Sequence, residues 1–195
     1  MALVDRVKNI LLTPRTEWEV IDAEPTTVAD LYKGYILPLA AIGPVASAIG
    51  TSLFGYSVPF VGSYRTPIGS AITGAVVAYV LTLVGVYVLS LIIDALAPTF
   101  NGTRNPIQAL KVAAYSSTAS WVAGIFALIP ALSLLGILGL YSLYLLYLGL
   151  PVLMKAPAEK AVGYTVVVIV AAIVLFMVTG MIAGMFVAGP AAFGR

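Results

Sequence analysis

Along this chain, long stretches without a charge are separated by short charged segments. No Asp, Glu, Lys or Arg occurs from Gly34 to Tyr64, Thr66 to Ile93, Val112 to Met154 or Ala161 to Gly194. Each run exceeds the about 20 helical residues that match a hydrocarbon layer of about 30 Å. The third run, 43 residues from 112 to 154, would be roughly 65 Å long as one helix, so it must hold two crossings. Pro130, in "GIFALIPALSLLG", is the natural divide, because proline removes a backbone donor and disfavours helix in the residue before it. The pattern predicts an all-α membrane protein. Its transmembrane domain, 34–195, is expected to be a bundle of five transmembrane helices over about 35–56, 68–95, 107–129, 132–153 and 162–187. Thr13-Pro14, Thr66-Pro67 and Asn105-Pro106 each set a capping residue before a proline, marking an N-terminal helix and the second and third spans.

The first 33 residues are the one sizeable polar region. In "ALVDRVKNILL", Leu3, Val7, Ile10 and Leu11 fall on one helical face, with Asp5, Arg6, Lys8 and Asn9 elsewhere. A second short helix, "PRTEWEVIDAE", brings Trp18 and Ile21 together. Both are expected to be short amphipathic helices in the cytoplasm. They are expected to lie on the membrane surface, with Trp18 at the headgroups and Arg6 and Lys8 toward an anionic leaflet, or to pack over the cytoplasmic ends of the spans, and the two are compatible.

Composition sharpens this picture. The chain is 61% hydrophobic and 9% charged, with a mean hydropathy of +1.06, outside the range of a soluble domain. Cysteine and histidine are absent, which excludes disulfides, thiolate or imidazole metal sites and His-based nucleophile activation. No catalytic residue, metal ligand, cofactor site or phosphate loop is recognisable, so no enzyme is expected. A net charge of +2 with no basic stripe argues against nucleic acid. Eight basic residues, Arg6, Lys8, Arg15, Lys33, Arg104, Lys111, Lys155 and Lys160, fall on the side of the N-terminus and two, Arg65 and Arg195, on the other. The positive-inside rule then places the N-terminus in the cytoplasm and the C-terminus outside.

"TPRTEWEVIDAEP", "DLYKGYILPLA", "FNGTRNPIQALKVAAYSSTASWVAGIFALIP", "LLGILGLYSLYLLYLGL" and "KAPAEKAVGYTVV" follow one another along the chain. In that order they resemble a bacterial Yip (Ypt-interacting protein) domain protein. The resemblance implies five spans, a cytoplasmic N-terminus and a bacterial inner-membrane location. Eukaryotic members of that family bind prenylated Rab-type GTPases, so GTPase binding is implied here by analogy. In "DLYKGYILP", Lys33-Gly34 stands where eukaryotic members carry Gly-Pro. Other expected partners are membrane lipids, other membrane proteins or a second copy of the chain.

Two groups of residues carry the candidate chemistry. Trp18, Asp30, Tyr32 and Lys33, at the junction of the polar region with span one, are candidates for partner binding. Thr27 and Asp30 also read as a helix cap. Within the membrane, Asp94 is the lone carboxylate between Gly34 and Met154 and is within reach of Arg104 or Lys111. Tyr115, Ser116 and Ser117 in span three and Tyr141, Tyr144 and Tyr147 in span four form the other polar group. Tyrosines three apart turn by about 60° per step, giving a slanting row that favours a hydrogen-bonded packing seam against Ser116 to Ser120 over a ligand path. The expected function is a non-enzymatic membrane scaffold or membrane-organising protein. The competing class is a small transporter, channel or lipid-handling protein with a hydroxyl-lined path between spans three and four. The small residues Ser70, Gly74 and Ala78, and Gly180, Gly184 and Ala188, are expected to mark helix contacts.

Overall fold

The computed structural model describes residues 2–58 and 62–187. Ala188 and Arg195, invoked above, lie outside the described residues. Two short helices, α1 (Leu3–Leu12) and α2 (Pro14–Ala23), open the chain as an antiparallel hairpin. Pro14 occupies the first helical position of α2, where a missing N–H is harmless. The interrupted helix α3 (Val28–Leu53) follows, with a π-helical turn over Tyr32–Ile36 just before Pro38. A small antiparallel ladder, β1 (Tyr56–Val58) against β2 (Gly62–Tyr64), joins it to the long helix α4 (Ile68–Phe100).

The expected third span departs from a plain helix. It runs as α5 (Pro106–Ser116), breaks at Ser117, resumes as α6 (Thr118–Ala123) and tightens into a 3₁₀ turn over Gly124–Leu128. A second 3₁₀ stretch, Pro130–Leu140, leads into α7 (Tyr141–Leu153), and α8 (Ala158–Val187) ends the described chain. Asn105 caps α5 by accepting a bond from the Gln108 N–H, as the Asn-Pro signal predicts.

Among the described residues, four helices are long and apolar enough to cross a membrane: Val28–Leu53, Ile68–Phe100, Pro130–Leu153 and Ala158–Gly184. The expected third span is the central, most buried segment, with Ala109 to Ser116 all buried, and its two breaks keep it from forming one long helix. The core gathers at the charged end, where Ile10, Trp18, Ile21, Ile36, Ile93, Leu110, Leu145, Leu150, Met154 and Tyr164 are sealed from solvent. Away from that end the outer faces stay apolar. Ile72, Val76, Val80 and Val84 on α4, and Val166, Val170, Ile173 and Val174 on α8, all stand exposed, the pattern of helices whose solvent is lipid.

Candidate functional site

The α1–α2 hairpin packs against the bundle through a buried charged cluster. Arg6, 4% exposed, donates to Glu17, also 4% exposed, and to Glu24 beyond the end of α2. Its guanidinium also lies 5.7 Å from the centre of the Tyr115 ring on α5. Arg6 was expected off the apolar face of α1. It lies instead beside Ile10, three and four residues from Leu3 and Ile10, and turns inward because Glu17 waits there. The hairpin is then tied to α5 from below. Lys111 Nζ donates to the carbonyls of Ile21 at 2.7 Å and Glu24 at 2.6 Å, and Gln108 Nε2 donates to Asp22 Oδ1 at 2.9 Å and to its carbonyl at 3.2 Å. Lys155 pairs with the other Asp22 oxygen, and the Tyr141 hydroxyl donates to the Leu11 carbonyl at 3.2 Å. The structure shows the packing over the helix ends expected for this region.

Trp18 is wholly buried, lying on Gly149 of α7 so closely that a Cβ there would meet the indole at 2.7 Å. Its ring meets Tyr115 edge-on with centroids 6.3 Å apart. Tyr115 in turn packs on Tyr35 at 4.5 Å, and the Tyr35 hydroxyl shares a 2.6 Å hydrogen bond with Thr118 at the start of α6. A cavity of about 290 Å³ lies beside this cluster, bounded by Arg6, Glu24, Asp30, Gly34, Lys111 and Tyr115 among others.

The candidates for partner binding occupy different settings. Trp18 belongs to the core and offers no surface while the hairpin is docked. Tyr32 donates to the Leu83 carbonyl of α4 at 2.9 Å, a helix-to-helix contact. Asp30 and Lys33 are exposed. Thr27 caps α3 by accepting from the Asp30 N–H at 3.2 Å while donating to its carboxylate at 2.6 Å.

The intramembrane candidates do not form one site. Asp94 is buried at the charged end of α4 and pairs with Arg104 at 3.3 Å. Nearby, Tyr164 donates to the Ile93 carbonyl and stacks on Phe100 at 4.9 Å. Ser116 and Ser117 both return their hydroxyls to the Ala113 carbonyl, a backbone bond available to any helical serine. Tyr141, Tyr144 and Tyr147 are 37%, 39% and 41% exposed on the outside of α7. They do not face the serines, because the helix presents Leu145, Leu146 and Gly149 inward. Between the expected spans three and four, the Ser142 hydroxyl lies 2.9 Å from that of Ser120 and accepts from its N–H at 3.0 Å, and the Ser120 hydroxyl donates to the Gly139 carbonyl at 3.0 Å.

Sequence reasoning passed over Arg6, Glu17, Glu24, Lys111, Tyr35 and Thr118 as site residues. One signal was available. Arg6 and Glu17 each interrupt the apolar stripe of their helix, and two opposite charges on facing stripes are a reason to pair them.

Apolar outer helices around a core concentrated at one charged end define an integral membrane protein. The Yip1 domain family matches residues 8–190, nearly the whole chain, and the protein belongs to that family. Among curated proteins it is similar to the inner membrane protein YohC of Escherichia coli K12 and to its counterpart in E. coli O6:H1, at 25% identity in each case. The aligned 127 residues cover 65% of this chain and 65% of each relative, just under two thirds of their length. No solved structure matches.

Proposed function

We propose that this protein is a five-span, non-enzymatic component of a bacterial inner membrane, with its N-terminus in the cytoplasm, that organises membrane partners through the surface of its docked N-terminal hairpin. The observation that carries this reading is the buried Arg6–Glu17–Glu24 cluster. It holds α1 and α2 in one pose, so that Asp5, Lys8, Arg15 and Glu19, all exposed, form a preorganised charged surface rather than a loose tail.

The fifth span is supported by where the broken segment runs. Lys111 touches the hairpin at the charged end, Gly124 packs on Gly43 midway down α3, and Ala127 and Leu128 close on Gly50 near its far end. Residues 106–128 therefore cover the same distance as α3. The inner-membrane assignment follows the name of the E. coli relatives, and the orientation follows the clustering of basic residues at the hairpin end. Photo-crosslinking in intact membranes from position 8 or 15, with position 76 on the lipid-facing side of α4 as control, tests the surface. The expected result is a discrete adduct, with lipid or a defined protein, from positions 8 and 15, the former abolished by Arg15→Glu and the latter by Lys8→Glu. Identical adducts from all three positions would sink the reading.

A second reading, passage or handling of a small solute or lipid, is favoured by a cavity of about 550 Å³ whose polar lining is Ser120, Ser133 and Ser142. It adjoins another of about 700 Å³ reaching Ser47 and Thr51. Flux into reconstituted vesicles that Ser120→Ala and Ser142→Ala leave unchanged would count against that path.

A further inference from the structure

We propose that the cavity beneath the hairpin binds a zwitterionic phosphoethanolamine group, carried by a membrane phospholipid or free in solution, with the phosphate toward Lys111 and Tyr115 and the ammonium toward Asp30 and Glu24. This goes beyond the scaffold reading and stands whether or not the hairpin recruits a protein.

Charge matching is the first reason. Arg6 lies between Glu17 and Glu24, one cation against two carboxylates, so negative charge is left over on the Glu24 side. Lys111 is 4% exposed and has two backbone carbonyls as partners but, among the described residues, no carboxylate within 4.0 Å. An ammonium carries three donors, so one remains to be directed into the cavity Lys111 lines. Across the same cavity, Asp30 has a hydroxyl and no cation as partner among the described residues. A buried cation and a separated carboxylate are jointly satisfied by a ligand bearing both signs, whereas a simple anion would meet Asp30 and Glu24 unfavourably.

The second reason is a spare donor. Tyr115 is 7% exposed, and its hydroxyl makes no hydrogen bond among the described residues, although its ring is packed on three sides by Trp18, Tyr35 and Arg6. The ring is buried but the hydroxyl is not sealed off, so a ligand in the cavity Tyr115 lines can take the place of water as its partner.

The third reason is shape. At about 290 Å³ the space is at the lower limit of ligand pockets, about 300 Å³, suiting a headgroup or small metabolite. Gly34 lines it within a π-helical turn, a feature common at functional sites, and no atom lies within 4 Å of where its side chain would begin. The turn leaves room that the protein itself does not fill.

The test uses the full-length protein purified in a neutral detergent. Native mass spectrometry reads binding of phosphatidylethanolamine, phosphatidylglycerol and phosphatidylcholine added in equal amounts, with soluble phosphoethanolamine as competitor. The expected result is a preference of about tenfold or more for phosphatidylethanolamine, the scale of a charge-assisted hydrogen bond. Choline, lacking N–H donors, cannot serve Asp30. Gly34→Leu, which fills open space, and Tyr115→Phe, which removes only a free hydroxyl, are each expected to lower that binding about tenfold with thermal unfolding unchanged. Asp30→Asn is expected to shift preference toward phosphatidylglycerol. Competition by soluble phosphoethanolamine at comparable concentration identifies the free metabolite as the source, and failure to compete identifies the lipid. Equal binding of the three lipids by the wild type with no binding of soluble phosphoethanolamine, or unchanged binding by the plugged Gly34→Leu protein, overturns the proposal.

Discussion

Arg6 and Glu17 are a buried pair in which each partner is the reason the other can stay inside. Removing one leaves an uncompensated charge, which costs about 3–5 kcal/mol in comparable settings. Arg6→Ala is therefore expected to release the hairpin with the bundle intact. Trp18 emission would move to the red, and trypsin would cut after Arg15 in the variant but slowly in the wild type. Unchanged emission and cleavage would show that the pair does not hold the hairpin. Gly149 tests the opposite face of the contact. A side chain there must displace the Trp18 ring from 2.7 Å, so Gly149→Val is expected to lower stability by about 1–3 kcal/mol, read by thermal unfolding in detergent. The interrupted apolar stripes of α1 and α2 hint at the first role, but nothing in the local sequence shows the second. Gly149 looks like one of 18 glycines, until α2 is laid across α7.

At the scale of elements, the broken central segment, residues 106–128, is the feature that organises the others. Its first half is anchored to the hairpin by Lys111 and Gln108, and its second half sinks against α3 at Gly43 and Gly50. Glycines allow this approach because a Cβ on Gly124 would sit 2.8 Å from the Gly43 backbone. Gly124→Leu is expected to separate α3 from the central segment and destabilise the fold by more than Gly180→Leu, whose position is open. Similar melting of the two variants would refute the close contact. Ser120 and Ser142 meet between α6 and α7. A double-mutant cycle to alanine is expected to return a coupling of about 0.6 kcal/mol, the average for hydrogen bonds between membrane helices. The start of α5 at Pro106 and the cap of α3 at Thr27 were legible, since capping chemistry is local. The direction of the tyrosine row was not, because α7 is apolar on nearly every side and no polar stripe marks which face turns inward.

For the whole molecule, the proposed five crossings would place the segments around residues 8, 103 and 159 on one side of the membrane and that around residue 65 on the other. The chain has no cysteine, so single substitutions Lys8→Cys, Thr103→Cys, Glu159→Cys and Arg65→Cys provide a clean assay. In intact cells a membrane-impermeant maleimide is expected to label only position 65. Labelling of position 65 together with 103 or 159 would contradict the five-crossing path. That the protein is helical and membrane-embedded, and roughly where its apolar runs begin and end, is determined by the sequence alone. Hydrocarbon demands long uncharged helices, and a bilayer's thickness is a fixed length against which a run of residues can be counted. The tertiary structure alone decided that the polar N-terminus folds down as a hairpin on spans three and four, that Arg6, Glu17 and Lys111 become interior, and that a mixed-charge cavity opens beside them. Those outcomes depend on pairings between residues as much as 133 positions apart, such as Lys155 with Asp22, and no periodicity within a single helix encodes its partner.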